Sequence, residues 1–286
     1  MAVRLLGGDD ITPEVKDFMS RYAVRGYPTL YVMNAEGHVV VSRVDRTVEG
    51  MLKALADGDA AEKEFAEAKK KTDPAGRKAY EKLLFQRMVW EELVPMQEAD
   101  VKATPSGDTY SDLAKTYGAM GRADDERATL EKAVGQIKDA KQRTSWRIRL
   151  TLMDNDMSKA KNREEFQKLS EGAIAALEKL AKSVESEKDA AGTCEVESSI
   201  GRLLLVSGKI DDAEKHYDAA LAADAKCASA PTAMMGKANC AWGRHDWAAC
   251  KAQLEKIVAG FPDSDEAKQA PIGIKRCDEA LAKEKK

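Results

Sequence analysis

Residues 200–221 read Ile200-Gly201-Arg202-Leu203-Leu204-Leu205-Val206-Ser207-Gly208-Lys209-Ile210-Asp211-Asp212-Ala213-Glu214-Lys215-His216-Tyr217-Asp218-Ala219-Ala220-Leu221. An apolar helical run stops at Gly208. A second helix starts after Lys209, and Ala213, Tyr217 and Ala220 recur on it at spacings of four and three, one face of a helix. Glycine just past a helical run is a stop signal. The stretch predicts two helices folded back on each other.

The pattern recurs. Tyr110, Leu113, Ala114, Tyr117 and Gly121, followed by Leu130 and Ala133, repeat it 87 residues earlier, roughly two and a half periods of 34. Here Glu126 stands at the position of Ala213. A third copy begins near Thr232, with Met235, Gly236, Gly243, Trp247, Cys250 and Leu254. Its turn, Trp242–Asp246, is one residue longer. It closes on Phe261-Pro262-Asp263-Ser264. The stretch 141–185 predicts a helical hairpin without the pattern.

These residues resemble the tetratricopeptide repeat. The resemblance implies stacked helical hairpins in a solenoid, since one hairpin cannot bury its apolar face alone. It also implies a partner-binding face made by the first helix of each pair. On that face it places Ser111 and Lys115 in the first copy, Glu195, Ser198 and Arg202 in the second, and Lys237 in the third. Such faces bind peptide segments of partner proteins.

Outward from the repeats, nothing from Asp59 onward reads as a strand. Further helices are expected near 60–71, 76–99, 143–154, 162–185 and 265–283. On 162–185, Phe166, Leu169, Ala173, Leu177, Leu180 and Val184 form one stripe. The charge balance agrees with solvated helices. Forty-six basic and 49 acidic residues leave a net charge of −3, without the basic excess of a nucleic-acid binder. No uncharged run approaches the roughly 20 residues of a membrane helix. The five cysteines, Cys194, Cys227, Cys240, Cys250 and Cys277, form no CxxC and show no zinc-ligand spacing. They fit small buried positions in helix packing. Cys240 and Cys250 flank the Gly243 turn, which makes them a possible disulfide. His38, His216 and His245 are scattered, and none has a Cys or carboxylate at metal-ligand spacing.

The first fifth differs. Val3–Leu6 predicts a strand, Pro13–Tyr22 a helix, Thr29–Met33 and His38–Ser42 a hairpin across Asn34–Gly37, and Thr47–Leu55 a helix that stops at Gly58. The order is βαββα. Residues 22–37, YAVRGYPTLYVMNAEG, resemble the C-terminal half of a thioredoxin-like domain of the protein disulfide isomerase kind. The resemblance implies a cis peptide at Pro28 and a substrate-peptide contact at Tyr27 and Pro28. No cysteine precedes Cys194, so the dithiol chemistry of that family has no residues to run on as the chain is written. The family's central strand and first helix have no counterpart here. The expectation is therefore a truncated domain with Met1 as an internal methionine, the alternative being a vestigial half-domain patched by another element.

The expected fold is an α+β thioredoxin-like half-domain followed by an all-α tetratricopeptide-like solenoid. The expected organisation is 1–58 half-domain, 59–105 connecting helices and 106–286 repeats. The expected function is a non-catalytic interaction scaffold with protein or peptide partners, without a cofactor, nucleic acid or membrane insertion. The alternative is a thiol–disulfide oxidoreductase whose CxxC half is missing. As written the chain reads as cytoplasmic, and as periplasmic or secreted if a signal peptide lies upstream.

Overall fold

The computed structural model describes residues 18, 19, 21, 22, 24, 29–42 and 44–284. The expected strand Val3–Leu6, together with Tyr27 and Pro28, lies outside them. The described part of the first fifth is a short antiparallel hairpin and a helix. Strand β1 (Val32–Met33) pairs with β2 (Val39–Val41), Val32 opposite Val41, with a register shift before Met33 pairs Val39. Gly37 turns the chain at φ 83°, and its N–H donates to the Asn34 carbonyl at 3.1 Å. Asn34 also accepts the His38 N–H on its side chain at 2.9 Å. The expected helix capped by Thr47 is present, but beyond these two short strands nothing supports a thioredoxin-like part.

Twelve α-helices follow among the described residues. The chain divides between Ala133 and Val134 into two compact units. In the first unit lie α1 (Val48–Lys69), α2 (Pro74–Gln86), α3 (Trp90–Ala103) and α4 (Gly107–Ala119). The next helix, α5 (Ala123–Gln136), runs across the boundary. The second unit holds α6 (Ala140–Asp154), α7 (Arg163–Ser186), α8 (Ala190–Val206), α9 (Ile210–Ala223), α10 (Ala230–Gly243), α11 (Trp247–Gly260) and α12 (Asp265–Glu284). A single 3-10 turn, Met157–Lys159, links α6 to α7.

Helix α1 corrects two expectations. It does not stop at Gly58 but continues to Lys69. Its expected apolar face is also turned outward: Val48, Leu52 and Leu55 are 77%, 63% and 59% exposed. The buried face is made of Ala54 and Gly58. A Cβ at Gly58 would touch the Val40 and Val32 side chains at 3.8 and 3.9 Å. The hairpin lies so close to the helix that small residues, not large apolar ones, make the contact. Glycine here is a crossing point inside a helix rather than its end.

The expected single helix over 76–99 is two. Met88 adopts φ 57°, and Val89 N–H reaches back to the Leu84 carbonyl at 2.9 Å while Met88 N–H reaches Phe85 at 3.2 Å. That pair of bonds is a Schellman ending. A left-handed methionine costs about 1–2 kcal/mol. The chain folding back offsets this, because Val89, Trp90 and Leu93 pack on Tyr80, Leu84 and Ala68. The hairpin β1–β2 is tied to the same corner. Val39 N–H donates to the Arg87 carbonyl at 3.1 Å, and His38 Nε2 lies 2.7 Å from Glu91.

Gly121 and Gly208 close their helices with the same pair of bonds. Lys188 and His245 do so as well, at φ 58° and 61°. In the third copy, therefore, Gly243 is not the turn. It is still helical, and a Cβ there would sit 3.0 Å from the Ile210 side chain. Gly243 serves a close approach, and His245 makes the turn.

Candidate interaction surface

The second unit is ordered by its first helices. Helix α8 packs on α6, α7, α9 and α10, and α10 in turn packs on α11 and α12. Helix α8 is consequently buried around most of its circumference, through Cys194, Val196, Ile200, Leu203 and Leu204. Tyr217 of α9 is the wedge between successive hairpins. A Cβ on Gly201 would meet its ring at 2.8 Å, and one on Gly236 would lie inside the ring's van der Waals envelope. Two glycines from two first helices thus clamp one tyrosine from the second helix between them. Burial pushes the Tyr217 hydroxyl up to about 12.

The residues expected on the partner face divide. Lys115 is exposed on α4, with its ammonium 4.9 Å from the centre of the Phe85 ring. Arg202 is exposed on α8, and Ser111 is half-buried. Ser198 is a correction: it is 3% exposed, and its hydroxyl donates to the Cys194 carbonyl of its own helix at 2.7 Å. Glu195 is half-buried and accepts from the Ser145 hydroxyl at 2.8 Å. Helix α6 of the pattern-free hairpin packs on α8 and takes up Glu195 through Ser145. Lys237 is ion-paired with Asp218 of α9, so its charge is turned toward the second helix. Tyr27 and Pro28 lie outside the described residues.

The cysteines also differ from expectation. Cys194 is bonded to Cys227, with Cα atoms 6.8 Å apart, and joins the start of α8 to the loop before α10. Cys240 and Cys250 are both free and buried, as is Cys277. Burial pushes the Cys250 thiol up to about 12, with help from its neighbour Cys277. Helix α10 is still helical at Gly243 and the chain turns only at His245, and across this longer turn Cys240 and Cys250 form no bond.

A groove of about 650 Å³ opens between α7 and α9 over the start of α8. Its floor is alanine: Ala181, Ala219, Ala222 and Ala223. Its rim carries Glu178, Glu185 and Glu197 against Lys182. Beside it His216 Nδ1 lies 2.6 Å from the Glu197 carboxylate. That hydrogen bond raises the His216 pKa above the ordinary histidine value, with help from the charges of Glu178 and Asp212 and against desolvation. The tetratricopeptide resemblance points to first helices alone and so misses this groove. Its mark in the sequence is Ala219, Ala222 and Ala223, spaced by three and four on one helix.

Among the described residues, no three His, Cys, Asp or Glu side chains are placed to hold a metal, and no helix is long and apolar enough to cross a membrane.

No protein-family model matches the chain, and no curated protein is similar to it in sequence. Solved structures that match include a thermophilic TPR protein of Thermus thermophilus, at 16% identity and a TM-score of 0.49 over 71% of this chain and 95% of that one. Another is BtubC (BKLC) from P. vanneervenii, at 13% identity and a TM-score of 0.48 over 68% of this chain and 82% of that one.

Proposed function

We propose that this protein is a non-catalytic interaction scaffold of tetratricopeptide-like hairpins that holds peptide segments of partner proteins. One observation carries the reading: Tyr217 wedged between Gly201 and Gly236, with first helices in successive contact from α6 to α12. Hairpins locked in this way present rigid grooves on both sides of the stack, and rigid grooves bind at low ordering cost. In the α7–α8–α9 groove, an alanine floor with an acidic rim suits a basic amphipathic segment. Arg202 contributes from the first-helix side.

The test is selection of peptides from a random display library by the full chain. Enrichment of a Lys- or Arg-bearing apolar motif is expected, with binding reduced by Ala222→Arg, which fills the groove floor. Absence of any enriched motif, or binding indifferent to Ala222→Arg and to Arg202→Glu alike, would remove the proposal.

A further inference from the structure

The first unit contains a cleft of about 240 Å³ between α2 and α4, floored by α3. It is polar where its counterpart in the second unit is aromatic. Tyr217 stands nine residues after the left-handed Gly208; Gln97 stands nine residues after the left-handed Met88. Gly201 stands seven before Gly208, and Glu81 seven before Met88. At the same place in the hairpin, then, an amide stands where the tyrosine is and a carboxylate where one of its glycines is, and the space between the helices stays open.

Gln97 is 6% exposed and lines the cleft, and its Oε1 is buried with no hydrogen-bond partner. A buried polar atom left unpaired is costly to the folded chain. Around it the cleft carries Glu81, Asp100, Asp108 and Asp112 against Arg77 and Lys78, an excess of two negative charges. Arg77 is held by Glu81 at 3.2 Å and by Asp100, and Lys78 reaches Asp112 at 3.1 Å across 34 residues of chain. The carboxylates run from deep to shallow: the Glu81 side chain is 12% exposed, Asp100 29% and Asp112 40%. The cleft therefore offers an acceptor at its floor and a ladder of carboxylates leading to it.

We propose that this cleft binds an arginine side chain of a protein partner. The guanidinium is planar and carries five N–H donors in a fixed fork. One edge donates to Gln97 Oε1, and the remaining donors face Asp100 and Asp112, sharing them with Arg77 and Lys78. The inference rests on the scaffold reading above and names the partner chemistry for a second place on the chain.

The experiment titrates the full, isotope-labelled chain with N-acetyl-arginine amide, and in parallel with N-acetyl-citrulline amide, its neutral isostere. Saturable movement of the Gln97 side-chain amide resonances by the arginine probe is expected, with citrulline about tenfold or more weaker, a difference of about 1.4 kcal/mol. Gln97→Leu and Asp100→Asn should each weaken arginine about tenfold. Circular dichroism checks that both variants are folded, and if Gln97→Leu is not, Asp100→Asn and the wild-type Gln97 resonances decide. Equal response to citrulline, no saturable shift at Gln97, or undiminished binding in the folded variants would overturn the proposal. Library peptides that bind without arginine while the probe fails would sink this inference alone. Arginine binding with no peptide selected would sink the scaffold reading instead.

Discussion

Tyr217 shows how much can depend on one side chain. It is 2% exposed and touches two glycines from neighbouring helices. Adding a methyl at Gly236 gains helix propensity, about 1 kcal/mol, but drives Cβ into the ring. Overpacking costs about 1–3 kcal/mol, and here the obstacle is a rigid ring held on both sides. Gly236→Ala should therefore be net destabilising by about 1–2 kcal/mol in urea melts. Gly201→Ala, with a 2.8 Å approach, should cost less. Tyr217→Leu should relieve the Gly236→Ala penalty in a double-mutant cycle, and additive effects would show that the wedge is not the source. His216 gives a second reading at this scale. Its folded pKa is raised by Glu197, so the folded chain holds the proton more tightly than the unfolded one. The stabilisation is complete below the ordinary histidine value of about 6.5 and is lost as pH rises through the higher folded value. The urea midpoint should fall across that window, and His216→Gln should remove that part of the fall.

At the scale of elements, the turns explain what can and cannot be read from sequence. Gly121 and Gly208 announce their helix ends, because glycine reaches positive φ without a Cβ clash. The hairpins around them are legible, as is the stripe Ala173, Leu177, Leu180 and Val184, all of which are buried. Met88, Lys188 and His245 make the same turn with no local mark. Their conformation is imposed by packing on both sides, and so α2 and α3 read as one helix. The partner face is harder still. Ser198 and Lys237 sit at the right phase of their helices, but Ser198 is buried with its hydroxyl on its own helix, and Lys237 is paired with Asp218. An exposed left-handed lysine also makes a prediction. Lys188→Gly removes the Cβ strain and should stabilise the chain by about 1 kcal/mol. A drop in thermal midpoint for this variant would mean that the lysine side chain contributes a contact outweighing the strain. The Cys194–Cys227 bond closes a separation of 33 residues. By chain entropy such a loop is worth about 3–4 kcal/mol. Cys194→Ser with Cys227→Ser should lower unfolding free energy by about that amount, read by urea melts without reductant. A double variant as stable as the parent would mean that the bond is not formed in solution.

Over the whole molecule the decisive feature is how the cores are distributed. One cluster joins Ile148, Leu177, Ile200 and Tyr217, and another joins Leu254, Ile257, Ala270 and Cys277, all within the second unit. Tyr80, Leu84, Trp90 and Leu93 form a cluster within the first, with Val94, Leu113 and Tyr117 beside it. Each of these clusters is assembled from contacts between helices close in sequence, so neither unit draws on the other for them. Repeat arrays with such local cores fold in near-neighbour steps. Just inside the second unit the chain leaves the helical state after Gln136, and Lys138 is exposed there, just before Asp139 caps α6 by accepting the Gln142 N–H at 2.9 Å. Backbone that is exposed and free of helix hydrogen bonds is where a protease gains entry. Limited trypsin digestion should therefore cut first after Lys138. The fragment from Asp139 onward, which retains the Cys194–Cys227 bond, should melt cooperatively by itself. The N-terminal fragment should keep its hairpin protected in hydrogen exchange, because Val39 N–H is bonded to Arg87 and Trp90 Nε1 donates to the Arg21 carbonyl at 2.9 Å. First cleavage within a helix, or a C-terminal fragment that melts without a cooperative transition, would mean that the second unit depends on the first for its stability.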